Sequence, residues 1–108
     1  MKKFHIALGV ADIKQSVADY KKRLGQEPNV IIEGEYALWR IETLNFSIRK
    51  TTDSEIGKLR HVGWEDDNTV GFTSEKDVNG VVWEYFNVQE QDKEIRETWP
   101  EADNLKKS

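Results

Sequence analysis

The sequence predicts a single α+β domain, because three patterns follow one another along the chain. A short apolar run opens it at 4–10, and a strongly amphipathic helical pattern follows at 12–24. β-Branched and aromatic residues then dominate 81–88, as in a half-buried strand. A length of 108 residues suits one domain with a modest core.

The composition excludes several functions. A net charge of -4 argues against a nucleic-acid partner, which requires a basic surface. The absence of cysteine excludes disulfides and thiolate metal sites and fits a reducing compartment. No run approaches the roughly 20 apolar residues that span a bilayer, and no cleavage site follows the opening apolar run. We therefore expect a cytoplasmic protein without a membrane partner. The sequence also contains no phosphate loop and no dinucleotide fingerprint.

The first strand, 4–10, alternates between two kinds of side chain. One face is apolar and is predicted to enter the core: Phe4, Ile6, Leu8 and Val10. The other face is small and polar, which is typical of a cavity wall: Lys3, His5, Ala7 and Gly9.

The helix that follows has clear signals at both ends. Asp12 is a suitable N-cap with Gln15 three residues later, and Gly25 is placed to end the helix. The apolar positions between them form one stripe that covers a sheet: Ile13, Val17, Tyr20 and Leu24.

Short β-prone runs predict the remaining strands. In the first half these lie at 30–32, 36–41 and 44–50, before a polar loop at 51–58. In the second half they lie at 59–65, 70–73 and 81–88. The tail is predicted to form a short helix at 90–99 with Ile95 and Trp99 on one stripe, and 101–108 is expected to fray.

The strand 59–65 also has two predicted faces. Alternation places Leu59, His61 and Gly63 on one face, and Arg60, Val62 and Trp64 on the other. The acidic residues 65–67 that end this run are predicted to be a solvated turn, because they lack the ligand spacing of a calcium loop.

Glu84 is the only charged residue in the strand 81–88, which follows the strong turn signal Asn79-Gly80. A carboxylate in an apolar strand must be paired, exposed or bound to a metal. An ion pair with Arg49 or Arg40 is therefore one interpretation, and a metal site is the other.

The histidines favour the metal interpretation. The chain has only His5 and His61, and each lies near the start of the strand that opens a half of the chain. Together with Glu84 they make a two-His, one-carboxylate set, which suits Fe(II), Mn(II), Zn(II) or Ni(II).

These features resemble the vicinal oxygen chelate superfamily, which includes glyoxalase I, bleomycin-resistance proteins and extradiol dioxygenases. The resemblance covers roughly 3–88 and rests on the His5 strand with its following helix, the His61 strand, and the run Asp-Val-Asn-Gly-Val-Val-Trp-Glu at 77–84. That run is similar to the family's Asp-Pro-x-Gly-x-x-x-Glu turn and final strand, with Val78 in place of the proline.

The resemblance implies a fold of paired βαβββ modules whose mixed, antiparallel sheet curls around a cleft. Module one would occupy about 1–50, a shortened module two about 58–88, and a C-terminal tail 89–108. Too few residues separate His61 from Glu84 for the usual helix and full set of strands. The tail helix or the second subunit of a homodimer is expected to cover the gap.

The resemblance also implies a function, a lyase or dioxygenase that uses a divalent metal on a small-molecule substrate. His5, His61 and Glu84 match the family's first, third and fourth ligands, and Glu84 would also be catalytic. The second ligand would come from 46–49, where alternation offers only the poor ligands Ser47 and Arg49.

Arg49, Ser47 and Trp39 are instead predicted to bind substrate, because they combine a cation, a hydroxyl and an aromatic ring near the expected cleft. Two alternatives stay open. One is a metal-free small-molecule binding module of the bleomycin-resistance type, and the other is a degenerate module for dimerisation or interaction.

Overall fold

The computed structural model describes residues 2–101, so the tail segment 102–108, expected to fray, lies outside the described residues. The elements are β1 (Lys2–Val10), α1 (Ile13–Leu24), β2 (Val30–Ile32), β3 (Tyr36–Ile41), β4 (Leu44–Lys50), a single 3-10 turn (Asp53–Glu55), β5 (Leu59–Asp66), β6 (Thr73–Lys76), β7 (Val82–Phe86) and α2 (Val88–Thr98). The predicted α+β class is confirmed. Neither helix has the length and apolar character that crossing a membrane would require.

All seven strands form one mixed, curled sheet in the order β2-β3-β4-β1-β5-β7-β6. The central strands β1 and β5 are antiparallel to each other. Each is flanked by a parallel strand from its own half, β4 beside β1 and β7 beside β5. The first half therefore contributes four strands and a helix, whereas 59–86 contributes three strands without a helix.

The helix α1 forms as its sequence signals predict. The Asp12 side chain accepts a hydrogen bond from the Gln15 amide at 2.8 Å, and Gly25 ends the helix in the left-handed conformation with φ 81°. The apolar stripe packs on one side of the sheet, here called the α1 face, against the core residues Val10, Ala37, Trp39 and Ile48.

The tail helix α2 covers the opposite side of the sheet, here called the α2 face. The Asn87 side chain caps it by accepting from the Glu90 amide at 2.8 Å. The predicted stripe of Ile95 and Trp99 is confirmed, and it packs against a second core cluster: Val30, Ile32, Tyr36 and Leu38. The tail therefore closes the side of the sheet on which the sequence placed a cavity wall.

Burial along β1 is the reverse of what alternation predicts. On the α2 face, His5 is 2% exposed and Ala7 is fully buried. On the α1 face Val10 is buried, but three residues predicted to be core are only half-buried: Phe4, Ile6 and Leu8. The reason is that α1 packs over the first half of the sheet, whereas no helix within 2–101 covers the α1 face of β5 and β7.

The strand predicted at 70–73 is wrong. Val70 is 92% exposed, Gly71 has φ 78°, and the strand β6 begins instead at Thr73. All four residues of β6 are exposed and none is apolar, as is common in an edge strand, so hydrophobic alternation could not locate it.

The predicted Asn79-Gly80 turn is confirmed and joins β6 to β7. The Asp77 carboxylate accepts from the amides of Asn79 at 2.8 Å and Val81 at 3.0 Å, and Gly80 has φ 83°. The strand after it is shorter than predicted, because Asn87 caps α2 where the apolar run was expected to continue.

Gly63 is required by the close approach of β5 and β7. A Cβ atom at this position would overlap the backbone carbonyl oxygen of Glu84. We expect Gly63→Ala to lower the free energy of unfolding by about 3 kcal/mol, because the two strands must move apart. Urea denaturation measures this loss.

Gly25→Ala is the matched control. Gly25 also resists a side chain, but only through its positive φ, since no atom lies within 4 Å of the added Cβ. Its expected cost is about 1 kcal/mol. A Gly63→Ala variant no less stable than Gly25→Ala would contradict the steric argument.

Candidate metal centre

Three predicted ligands lie on the α2 face at the middle of the sheet. In the antiparallel pair, His5 on β1 is opposite Gly63, and His61 on β5 is opposite Ala7. The two imidazoles are thus diagonal neighbours, each facing a small residue that leaves room for a ring. Glu84 on β7 joins them because it lies beside Gly63 in the parallel pair.

The ligand atoms of this set converge. The Nε2 atoms of His5 and His61 are 3.0 Å apart, and His61 Nε2 is 3.0 Å from Glu84 Oε1. All three ligand atoms lie within 4.8 Å of one another. With metal–ligand bonds of about 2.1 Å, neighbouring ligands of an octahedral ion are about 3.0 Å apart. Two of the three separations are therefore those of adjacent ligands on one ion.

A buried amide fixes the tautomer of His5. Asn45 Nδ2 donates to Glu65 Oε1 at 2.8 Å, and a carboxylate can only accept, so the amide orientation is set. Asn45 Oδ1 must then accept from His5 Nδ1, which lies 2.8 Å away. With its proton on Nδ1, His5 directs the Nε2 lone pair at the point of convergence.

Where the ligand atoms of His5, His61 and Glu84 meet, there are more hydrogen-bond acceptors than protons to donate to them. His61 Nε2 lies 3.0 Å from both the His5 Nε2 lone pair and the Glu84 carboxylate. A single N–H on His61 cannot point at both acceptors. Two imidazole nitrogens and one carboxylate oxygen are a donor set that suits Zn, Fe, Mn or Ni, so these residues fit a divalent ion.

Burial keeps His5 neutral. Loss of hydration is the largest cause and the nearby His61 the second, and together they lower the pKa of His5 to about 4, although the hydrogen bonds that His5 donates to Asn45 oppose them. A ligand imidazole must be unprotonated. The environment therefore prepares His5 for coordination at neutral pH.

A buried polar network connects this centre to α2. Arg40 Nη2 donates to Asp92 Oδ1 at 2.7 Å and to Gln91 Oε1 at 2.9 Å. Gln91 and Asn45 exchange two amide hydrogen bonds, at 2.8 and 3.2 Å. Arg40 Nε lies 3.7 Å from Glu65 Oε1 and has no hydrogen-bond partner among the described residues. The position of α2 and the orientation of His5 thus depend on the same groups.

The ion-pair interpretation of Glu84 does not describe this site. Arg40 is occupied by Glu65 and Asp92, and Arg49 stacks over the Trp99 ring at 5.1 Å. Within 2–101, Glu84 pairs with His61 instead.

A cavity of about 50 Å³ adjoins the three ligands. Two of the predicted substrate-binding residues, Ser47 and Arg49, line it.

Trp39 does not line this cavity, and its predicted role in substrate binding is wrong. It is fully buried on the α1 face, where Nε1 donates to the Gln26 carbonyl at 2.9 Å. The tryptophan at the cavity is Trp99, which comes from the tail.

Sequence reasoning missed Glu65 and Asn45. Glu65, predicted to be in a solvated turn, is 2% exposed in β5, and Asn45 is fully buried. A signal existed for both. Continuing the alternation beyond His61 puts Glu65 on the same face, and reading backwards from Ser47 does the same for Asn45.

Arg60 was predicted to face away from His61, but it lines the same cavity. The register of β1 and β5 shifts at this point, since Ala7 is opposite His61 and the next residue of β1 is opposite Leu59. Arg60 is thus the extra residue of a β-bulge, and a bulge redirects a side chain. Alternation alone cannot locate a bulge.

Comparisons with known proteins add evidence on the fold. No family model matches the chain, and no curated protein matches it. Among solved structures, 14 chains are similar. One is the crystal structure described as NAD-dependent benzaldehyde dehydrogenase from Legionella pneumophila, with a TM-score of 0.53 and 9% identity over 76% of this chain and 96% of that chain. At this identity the likeness shows a shared fold and brings no activity to this chain.

The low pKa of His5 predicts a pH-dependent stability. Its ordinary pKa of 6.5 applies in the unfolded chain, whereas the folded value is about 4. Between these values the unfolded state binds the extra proton, so the free energy of unfolding falls as the pH drops. For metal-free protein we expect His5 to contribute a loss of about 2 kcal/mol between pH 7 and pH 5.

Urea denaturation of the metal-free protein and of His5→Gln at both pH values isolates this contribution, because other titrating groups are common to the two proteins. The wild-type protein should lose more stability than the variant. Equal losses would show that His5 does not titrate as its burial requires.

The pair Arg40 and Glu65 predicts an energetic coupling. Arg40→Met leaves the buried Glu65 without its cation, and we expect a loss of about 3 kcal/mol. The double variant with Glu65→Gln removes the uncompensated charge, so it should be more stable than Arg40→Met alone. Chemical denaturation of the unchanged protein, the two single variants and the double variant completes this double-mutant cycle. If the loss in the double variant equalled the sum of the two single losses, the coupling would be contradicted.

Proposed function

We propose that this protein is a metal-dependent enzyme of the vicinal oxygen chelate type, acting on a small-molecule substrate. The observation that carries the proposal is the convergence of His5, His61 and Glu84, with two ligand-atom separations of 3.0 Å. The sequence resemblance assigned ligand roles to the same three residues. The finer reaction class, lyase or dioxygenase, follows from that resemblance alone.

The proposal includes a fold, namely the glyoxalase/bleomycin-resistance/dioxygenase fold with a shortened second module. The strand pairing supports it. The first half runs β1-α1-β2-β3-β4 with β1 parallel to β4, and the second half repeats this with β5 parallel to β7 and β6 antiparallel outside it. The antiparallel pairing of β1 with β5 then relates the halves by an approximate two-fold rotation.

The same rotation supports a site with three protein ligands. Gly63 on β5 corresponds to Ala7 on β1; Gly63 lies beside Glu84, and Ala7 lies beside Ser47. Ser47 thus stands at the position that Glu84 holds in the other half. A neutral hydroxyl is a weak ligand for these ions, so the fourth position would be left to substrate or water.

Each residue of the centre has a proposed task. His5, His61 and Glu84 would hold a divalent ion, Fe, Mn, Zn or Ni, and Glu84 is also the proposed catalytic carboxylate. Such an ion acts as a Lewis acid on a bound oxygen. Asn45 keeps the Nδ1 proton of His5 in place, and Trp99 helps to close the cavity against water.

The cavity favours this proposal over a metal-free binding module of the bleomycin-resistance type. Such a module would sequester an apolar or aromatic ligand, which needs a roomy apolar pocket. The cavity measures only about 50 Å³, and four charged side chains line it beside the aromatic ones: Glu84, Arg49, Arg60 and Glu94.

Two further expectations accompany the proposal. A homodimer stays a prediction, and light scattering of the purified protein would measure it. The cytoplasmic location also stays a prediction.

Metal binding is the deciding experiment. Protein stripped with a chelator and then titrated with Zn(II), Ni(II), Mn(II) and Fe(II) should bind at least one of them at one ion per chain, as measured by calorimetry. Glu84→Gln and His61→Ala should each weaken binding by roughly 100-fold or more, since each removes a ligand.

Glu97→Gln is the matched control, because Glu97 is an exposed carboxylate on α2 that does not line the cavity. It should bind the ion as the unchanged protein does. A stripped protein that ignores all four ions, or one that binds them equally well after Glu84→Gln, would refute the proposed centre.

A further inference from the structure

Two arginines line the cavity, and neither forms a direct ion pair with any residue in 2–101. Arg49 projects from β4 and its guanidinium stacks over the ring of Trp99 at 5.1 Å. Arg60 is exposed and lines the cavity from the bulge in β5, so it stands at the mouth. Within 2–101 neither side chain makes an ion pair or a hydrogen bond, which leaves both sets of guanidinium donors available.

The two guanidinium groups line the same small cavity, so their like charges repel each other. Holding two like charges at one small cavity costs stability unless a negative charge lies between them. The stacking of Arg49 on Trp99 holds the first of these charges in place.

The formal charges of the lining side chains balance by themselves, but not once a divalent ion is added. The carboxylates that line it are Glu84 and Glu94, which formally offset the two arginines. Glu84 is already paired with His61. A divalent ion at the metal centre would add two positive charges, and no further carboxylate among the described lining residues would compensate for them.

The volume limits what could supply this charge. One water-sized position needs roughly 10–15 Å³ on this measure, so about 50 Å³ admits roughly four such groups. That is the size of a molecule with a carboxylate and one or two further heavy atoms. A large anion would require α2 to move.

We propose that the cavity binds a small carboxylate whose oxygens accept hydrogen bonds from Arg49 and Arg60. This substrate class rests on the proposed function, because the ion is the source of the excess positive charge. Arg60 is thereby a specificity-determining residue, and the β-bulge is the device that brings it to the cavity. Guanidinium groups donate in a planar fork that matches a carboxylate.

Calorimetry with three test ligands examines the proposal on metal-loaded protein. Glycolate is the small carboxylate, glycolamide is its neutral analogue of similar shape, and inorganic phosphate is a different small anion. We expect glycolate to bind at least 10-fold more tightly than either of the others.

Variants then assign the interaction to the arginines. Arg49→Gln and Arg60→Gln should each weaken glycolate binding by roughly 10-fold or more. Arg96→Gln is the matched control, because Arg96 is an exposed arginine on α2 outside the cavity, and it should bind glycolate normally. Ion stoichiometry measured on each variant should stay at one per chain, which also shows that each variant is folded.

The outcomes separate this inference from the proposed function. If the ion binds but glycolate does not exceed glycolamide, or the arginine variants bind glycolate normally, the carboxylate assignment is overturned while the metal centre stands. Tighter binding of phosphate than of glycolate overturns it as well. If glycolate binds metal-free protein through both arginines and no ion binds, the anion site is supported and the metal-dependent function is refuted.

Discussion

The candidate site depends on one buried amide, Asn45, held between Glu65 and His5. Because Glu65 can only accept a hydrogen bond, it decides which end of the amide is the NH2 group. That choice places the proton of His5 on Nδ1 and frees Nε2. Rotating the amide by half a turn would place two acceptors against each other at Glu65 and would favour the other tautomer of His5, with the proton on Nε2. The orientation of a side chain on β4 thus sets the chemistry of a ring on β1.

The tail helix takes part in this arrangement as well as covering it. Gln91 bonds to Asn45, and Arg40 ties Gln91 and Asp92 to the sheet, so a shift of α2 would disturb the orientation of His5. The second half of the sheet has no helix of its own within the described residues. The helix that follows it crosses to the opposite face instead. This closes the face that carries the ligands and leaves part of the α1 face half-covered.

Short stretches of sequence were sufficient to predict the features that depend only on neighbouring residues. The cap at Asp12, the stripe of α1 and the turn at Asn79-Gly80 could all be predicted, because each depends on residues within a few positions. The three candidate ligands could be named from residue types and strand positions, and the structure brings them together. The rest depends on non-local pairing. The bulge that turns Arg60 is a mismatch between β1 and β5, and the burial of Trp39 depends on which face α1 covers. Neither is encoded in a short window of sequence.

The buried groups that form the candidate metal centre also destabilise the fold when no metal is bound. His5 is desolvated and neutral, and its lone pair competes with the Glu84 carboxylate for one N–H of His61. A side chain needed only for packing at this position would be apolar, since an incompletely satisfied buried polar group destabilises a core. A divalent ion would accept all three lone pairs and would remove this competition. This cost to stability supports the proposed metal centre over a purely structural role for the three side chains, because functional sites commonly lower stability.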